Sequence, residues 1–223
     1  MSTYKTEGII LKYKDFGEAD RLLTVFSKHY GKLKLVVKGA RRLTSRKGGN
    51  IEILNLGQLF IIEGKNLDLL SEIVVEETFQ ELKKDLMLMA EVYQITEFID
   101  GLTVENEPNL KFFSLILEIL HLLKELKENV KARELAMLAF EIQSLKIVGF
   151  WLKEEVVRKY GLPEDFGKII QSLEENPLGE VVKTEFSKQN LGTAQEVLKN
   201  QLRWVLEKDL KSISFQQQIR QLH

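Results

Sequence analysis

There is no cysteine anywhere in the chain. Disulfides, thiolate nucleophiles and every cysteine-ligated metal site are therefore excluded. Only three prolines occur and no low-complexity tract is present, which leaves little room for a disordered linker. No apolar run approaches the roughly 18 residues of a membrane-spanning helix. The first residues, Met1 to Glu7, lack the apolar stretch of a secretory signal, so no membrane association and a cytoplasmic location are expected. Neither a G-x-x-x-x-G-K-[ST] loop nor a G-x-G-x-x-G turn is found, so binding of ATP or a dinucleotide has no support. The histidines, His29, His121 and His223, are far apart and without ligand spacing, and no cofactor or metal is expected. No Ser/His/Asp arrangement suggests itself. Glu18 and Asp20 lie close together, but turn acids that pair with a neighbouring cation explain them better than catalytic carboxylates do. The chain reads as a protein that is not an enzyme.

One further scarcity is local. From Arg21 to Ile51 there is no Asp or Glu, while nine basic residues occur: Arg21, Lys28, Lys32, Lys34, Lys38, Arg41, Arg42, Arg46 and Lys47. The whole chain is close to neutral, with 32 Lys and Arg against 33 Asp and Glu. Positive charge is thus concentrated: residues 1–50 carry a net +8 and the remainder −9. A polyanion is attracted to one part of such a chain and repelled by much of the other.

Hydrophobic periodicity divides the chain in two. Up to about residue 78 it reads as five short strands, at Glu7–Lys14, Arg21–Phe26, Lys32–Lys38, Leu59–Glu63 and Ile73–Glu76, separated by Gly, Asp and Asn turns. About five strands in this length match a small OB-like barrel. From residue 79 the apolar spacing becomes helical. Thr78-Phe-Gln-Glu81 and Thr193-Ala-Gln-Glu196 have the form of capping boxes. Helices are expected at about 109–127 and 131–148, with a stop near Gly149, and Asn176 is a candidate N-cap before Pro177. The expected architecture is α+β and multi-domain: a small N-terminal OB-fold β-barrel over residues 1–78, followed by an all-α helical domain over 79–223.

The third strand places the charge. Leu33, Leu35 and Val37 fall on one face and Lys32, Lys34 and Lys38 on the other. With the apolar face filling the barrel, the lysines line its outside. The loop that follows, Gly39 to Asn50, adds Arg41, Arg42, Arg46 and Lys47 among small residues that let its backbone approach a ligand closely. A charge run is often only a solvated face. Here its acid-free length, its placement on a strand and the following loop, and the arginines suited to bidentate phosphate contact favour nucleic acid. Tyr13, Phe16 and Tyr30 are candidates for base stacking, whereas Phe26 and Phe60 sit in apolar runs and suit the core.

These residues resemble the RecO family, bacterial recombination mediators of DNA repair. The likeness lies in Gly8-Ile-Ile-Leu11, Phe16-Gly-Glu-Ala-Asp-Arg-Leu-Leu-Thr-Val-Phe-Ser27, Gly31-Lys-Leu33 and Val37-Lys-Gly-Ala-Arg-Arg42. It continues more faintly in Glu107-Pro-Asn109 and in the segment with Leu138, Phe140, Glu141 and Leu145 before Gly149. The resemblance implies an N-terminal OB domain and a helical C-terminal domain. It also implies binding of single- and double-stranded DNA, annealing of complementary strands without ATP, and help in loading RecA, in a nucleoid-associated setting. RecR and the acidic C-terminal tail of single-strand-binding protein are the implied partners. DNA contacts are expected among Lys32, Lys34, Lys38, Arg41, Arg42, Arg46 and Lys47. Gly17, Glu18, Asp20 and Arg21 read as structural, Gly17 making a turn and Asp20 or Glu18 holding Arg21.

One departure stands out. Many members of that family carry a four-cysteine zinc site in the helical domain, and a chain without cysteine cannot build it. Its place, roughly residues 150–190, is expected to be held by packing of Phe150, Trp151, Val156, Tyr160, Leu162 and Phe166. A rival reading takes the basic face as an adaptor for acidic protein segments, and an enzyme acting on nucleic acid comes third.

Overall fold

The computed structural model describes residues 2–42, 48–151, 153–161 and 164–206. Five strands, β1 (Thr3–Phe16), β2 (Asp20–Ser27), β3 (Gly31–Val37), β4 (Leu56–Ile62) and β5 (Asp68–Glu77), close a barrel in the order β1-β2-β3-β5-β4. Every neighbouring pair is antiparallel except β3 and β5, which run parallel through Leu35–Asp68 and Val36–Leu69. This is the five-stranded OB-fold order. Period-two alternation supplies its interior: Ile10, Leu23, Val25, Leu33, Leu35, Val37, Leu59, Ile61, Leu70 and Ile73 form one buried cluster.

Seven helices follow among the described residues: α1 (Leu86–Leu102), α2 (Leu110–Glu125), α3 (Val130–Ile147), α4 (Lys153–Tyr160), α5 (Glu164–Glu175), α6 (Leu178–Val181) and α7 (Lys188–Leu206). The chain forms two compact units. One comprises Met1–Gln80 with Ile95–Phe113, and the other Glu81–Gln94 with the chain from Ser114 on. The sequence suggests a single cut at residue 78; in the structure the barrel unit also takes in the C-terminal half of α1 and the start of α2.

Helix starts differ from the sequence expectation at three places. Thr78 does not open α1. Phe79 takes a left-handed φ of 46°, a short 3₁₀ turn follows at Gln80–Lys83, and Asp85 is the cap, its Oδ1 accepting from the N–H groups of Met87 and Leu88 at 2.9 Å each. Ser187 caps α7 by accepting from the Asn190 N–H at 3.2 Å, so Thr193 lies one turn inside, where its hydroxyl donates back to the Gln189 carbonyl. Asn176 donates to Ser172 Oγ, and the Leu178 N–H at the start of α6 is satisfied by Glu118 Oε1 at 2.9 Å. For α1 and α7 a side chain at the true first turn takes the free amides, and for α6 a carboxylate from α2 does so. Asn109 and Asn129 cap α2 and α3, accepting from the Phe112 and Ala132 N–H groups at 3.0 and 3.1 Å.

In the helical unit α3 is buried over most of its length, Arg133, Glu141 and Ser144 included, and lies against α5, α6 and α7. The region 150–190 is packed by Trp151, Val156, Phe166, Ile170, Leu173, Leu178 and Val181, all buried. Gln143 Nε2 closes it by donating to the carbonyls of Leu173 and Asn176 at 2.9 and 2.8 Å. Phe150 is exposed rather than packed, its carbonyl accepting from Gln201 Nε2 instead; Leu162 lies outside the described residues.

Two buried polar pairs cross this interior. Arg133 Nε meets both Glu91 carboxylate oxygens, at 3.2 and 3.0 Å. Gln94 Nε2 donates to Glu141, whose carboxyl is fully buried and pushed up to about 7 by that burial, the Gln94 bond offsetting only part of the effect. A carboxyl with a raised folded pKa stabilises most below its unfolded value of 4.5, and that contribution is lost as pH rises through 7. Glu141→Gln should therefore leave stability near pH 5 almost unchanged and raise it near pH 8 by about 2–3 kcal/mol, as read by urea denaturation. Equal effects at both pH values would contradict an ionising Glu141.

Candidate nucleic-acid interface

The two most specific sequence stretches, Gly17 to Arg21 and Lys38 to Arg42, meet at one end of the barrel. Gly17 turns the β1–β2 hairpin at φ 58°, and Gly39 turns the chain out of β3 at φ 67°. Asp20 Oδ1 accepts from the Gly39 N–H at 2.8 Å, and the Ala19 carbonyl accepts from the Arg41 N–H at 2.9 Å. Ala40 is buried within the barrel cluster and plugs its mouth. The loop is thereby clamped from three sides, and Lys38, Arg41 and Arg42 project into solvent. Arg41 is steadied by the Glu18 carbonyl at 3.4 Å and by Asp15, also at 3.4 Å. No ion pair is seen for Lys14, Lys38 or Arg42 among the described residues. Arg46 and Lys47 lie outside the described residues.

The structural motif differs from expectation in one respect. Neither Glu18 nor Asp20 holds Arg21. Asp20 is occupied by Gly39, and Glu18 contributes its main-chain carbonyl. Arg21 lies 4.2 Å over the Tyr13 ring, with Asp15 at 4.0 Å and Glu52 at 3.9 Å. A sequence adjacency suggested a side-chain pair, where the fold uses the acid to satisfy a turn amide two strands away.

The outer face of β1, β2 and β3 shows where the expected cationic ridge breaks. Pairing sets Lys12 opposite Thr24 and Thr24 opposite Lys34; then Lys14 opposite Leu22 and Leu22 opposite Val36; then Phe16 opposite Asp20. The first of these rows is covered within the barrel unit by residues 95–113. Phe26 on this face packs against Phe112 and Phe113, with ring centroids at 5.5 and 6.3 Å. Asp100 takes Lys12 at 2.5 Å and Lys32 at 3.4 Å, while its carbonyl accepts from Lys32 at 2.6 Å. Glu105 takes Lys34. The Asn106 N–H donates to the Lys32 carbonyl at 3.0 Å, and Glu105 bridges alongside Lys32 like a short parallel strand. A Cβ on Gly31 would overlap the Glu107 main chain, so glycine at this position, already at φ 66°, permits the close approach.

Of the seven expected contacts, Lys32 is therefore buried in an intramolecular pair and Lys34 is neutralised by Glu105, so neither stands on a free solvated ridge. Alternation placed them correctly on the outside of the barrel. It carried no sign of the two acids, Asp100 and Glu105, that arrive about seventy residues downstream. Sequence reasoning also passed over Lys14, which shares the outer face of β1 with Phe16. The aromatic candidates separate in the same way. Tyr30 lies against Tyr4 at 4.5 Å and Tyr13 lies under Arg21, while Phe16 has no ring partner among the described residues. No group of three or more potential metal-ligating side chains occurs among the described residues.

Comparison with known proteins points one way. The family model described as "Recombination protein O N terminal" matches residues 1–79, and that described as "Recombination protein O C terminal" matches residues 83–156. A DNA repair protein RecO of Desulforamulus reducens is 35% identical over 150 residues, 67% of this chain and 56% of that protein. One of Pelotomaculum thermopropionicum is 32% identical over 150 residues, 67% of this chain and 57% of that protein. One of a Roseiflexus species is 28% identical over an alignment of 250 positions, covering 98% of this chain and 87% of that protein. The chain thus spans little more than half the length of the first two relatives.

Asp100 is the charge on which the covered face turns. Burial alone would raise its carboxyl, but the Lys12 hydrogen bond and the Lys32 charge hold it below the ordinary aspartate value. A lowered folded pKa gives stability that is present above the unfolded value and lost as pH falls through the folded one. Asp100→Asn should cost on the order of 2 kcal/mol at neutral pH, the partly exposed site moderating the penalty of stranding Lys32. The gap to the parent protein in urea denaturation should close below about pH 4. A gap that is absent, or that persists unchanged in acid, would contradict this role.

Proposed function

The chain belongs to the RecO family, and from that premise we propose that it is a DNA-binding recombination mediator in DNA repair. It binds single- and double-stranded DNA, anneals complementary strands without ATP, and assists loading of RecA together with RecR. It acts without catalysing a covalent step and without a cofactor. It works in the cytoplasm at the nucleoid, and no helix among the described residues is long and apolar enough to cross a membrane. The acidic C-terminal tail of single-strand-binding protein is received by the helical unit.

One observation carries the DNA reading. Lys38, Arg41 and Arg42 stand exposed on a loop whose backbone is fixed by Asp20, Ala19 and the buried Ala40, so their charge is presented without a large ordering cost. Lys14 joins them from β1, and Arg46 and Lys47 continue the series in sequence. Lys32 and Lys34 drop out of the contact set, because Asp100 and Glu105 already neutralise them. Annealing follows from electrostatics. Strands whose phosphates are screened by fixed cations repel each other less and pair faster.

With about 4–6 phosphates contacted on a single strand, log K should fall against log salt with a slope of roughly −3 to −4. Charge reversal at Lys38, Arg41 and Arg42 together should weaken binding to oligonucleotides by at least about tenfold. Lys34→Ala should change it by less than about twofold, its charge being already paired. Fluorescence anisotropy across a salt series reads all three. A slope near zero, or binding of acidic peptides but not of oligonucleotides, would replace this reading with the protein adaptor.

A further inference from the structure

We infer that Phe16 is the platform on which the protein stacks an unpaired base, and that this ring makes the site prefer single-stranded over duplex DNA. The inference rests on the DNA-binding reading above and names the form of nucleic acid the same site selects.

Phe16 ends β1 at the tip of the β1–β2 hairpin and is 41% exposed, an unfavourable position for a large apolar ring in a protein that buries seven of its other phenylalanines. Among the described residues it has no ring or cation–π partner. Ile10, Leu23, Val25 and Val37 fill the barrel beneath the hairpin without its help. The other two aromatic candidates on this unit are engaged, Tyr13 beneath the Arg21 guanidinium and Tyr30 against Tyr4.

Its neighbours are those a nucleotide requires. Lys14 lies two residues back on the same face of β1, at a spacing of roughly 7 Å. Opposite Phe16 across the hairpin is Asp20, whose carboxylate is spent on the Gly39 N–H and which thereby holds the Lys38–Arg42 loop beside the ring. Arg41 reaches back to the same turn through Ala19 and Glu18. The ring thus shares its face of β1 with Lys14, and the Lys38–Arg42 loop is tied to the same hairpin through Asp20 and Ala19. A single strand offers such a site a free base face and two adjoining phosphates. A duplex offers only the phosphates, because its bases are already stacked.

The test compares a single-stranded oligothymidylate with a mixed-sequence duplex of the same length, using full-length protein. Phe16→Ala should weaken single-strand binding roughly tenfold while leaving duplex binding within about twofold. Phe16→Trp should retain single-strand affinity, and its indole fluorescence should be quenched on titration beyond the change shown by Trp151 and Trp204 in the parent protein. Equal losses on both forms, or no loss on the single strand while reversal of Lys38, Arg41 and Arg42 still abolishes binding, would overturn the stacking role and leave the DNA-binding reading intact. No binding of either form by the parent protein would overturn both. Thermal melting of each variant separates loss of fold from loss of contact, and an exposed position at a hairpin tip should leave it unchanged.

Discussion

Asp100 holds two lysines of the barrel, one of them buried, and the electrostatic character of the barrel unit follows from that arrangement. A lysine buried beside apolar surface is costly unless its charge is met and its protons are bonded. Lys32 satisfies both needs through the Asp100 carboxylate and carbonyl. The same carboxylate draws in Lys12, and Glu105 closes on Lys34 one step along. Phe26, Phe112 and Phe113 supply the apolar burial that makes the segment 95–113 part of the barrel unit. Three lysines of an apparently continuous basic surface, Lys12, Lys32 and Lys34, are thereby paired within the barrel unit.

What remains free lies at the far end of the same three strands. There the acid Asp20 is used differently. It bonds a main-chain amide, the Gly39 N–H, and no ion pair to Lys38, Arg41 or Arg42 is seen for it among the described residues. This explains why the stretches Gly17 to Arg21 and Lys38 to Arg42 belong together. The first makes a left-handed turn and offers Ala19 and Asp20 as acceptors, and the second makes another left-handed turn and presents its arginines outward. Gly31 and the segment around Glu107 form a second such pair at the joint, where the missing Cβ admits a neighbouring main chain. Segments similar to one family at scattered positions in sequence thus turn out to be mutual contacts in space.

Much of the fold was legible from local pattern. Alternation in β3 placed Leu33, Leu35 and Val37 inside and the lysines outside, and the change of period near Thr78 marked the end of the barrel strands. The starts of α2 and α3 were readable to within a residue or two from the onset of apolar helical spacing near 109 and 131. Errors arose where two local signals competed or where the answer was non-local. Thr78 and Thr193 have capping-box spacing, but Asp85 and Ser187 stand at the true first turns. Lys32 and Lys38 look equivalent on the strand. Only the downstream acids distinguish them, and no spacing within the basic segment carries that information. The absence of cysteine rules out a four-cysteine site. It could not show that Gln143 would tie off the end of α5 in that region, or that Phe150 would remain exposed.

One basic surface is thus divided into a part paired with Asp100 and Glu105 and a part that is not. Lysine footprinting by acetylation and mass spectrometry, with and without a single-stranded oligonucleotide, reads that division directly. Lys12, Lys14, Lys34 and Lys38 are all exposed enough to report. Bound oligonucleotide should protect Lys14 and Lys38 and leave Lys12 and Lys34 reacting as before. Protection of Lys12 and Lys34 with Lys38 unaffected would contradict the division and return the DNA to the face closed by Asp100 and Glu105.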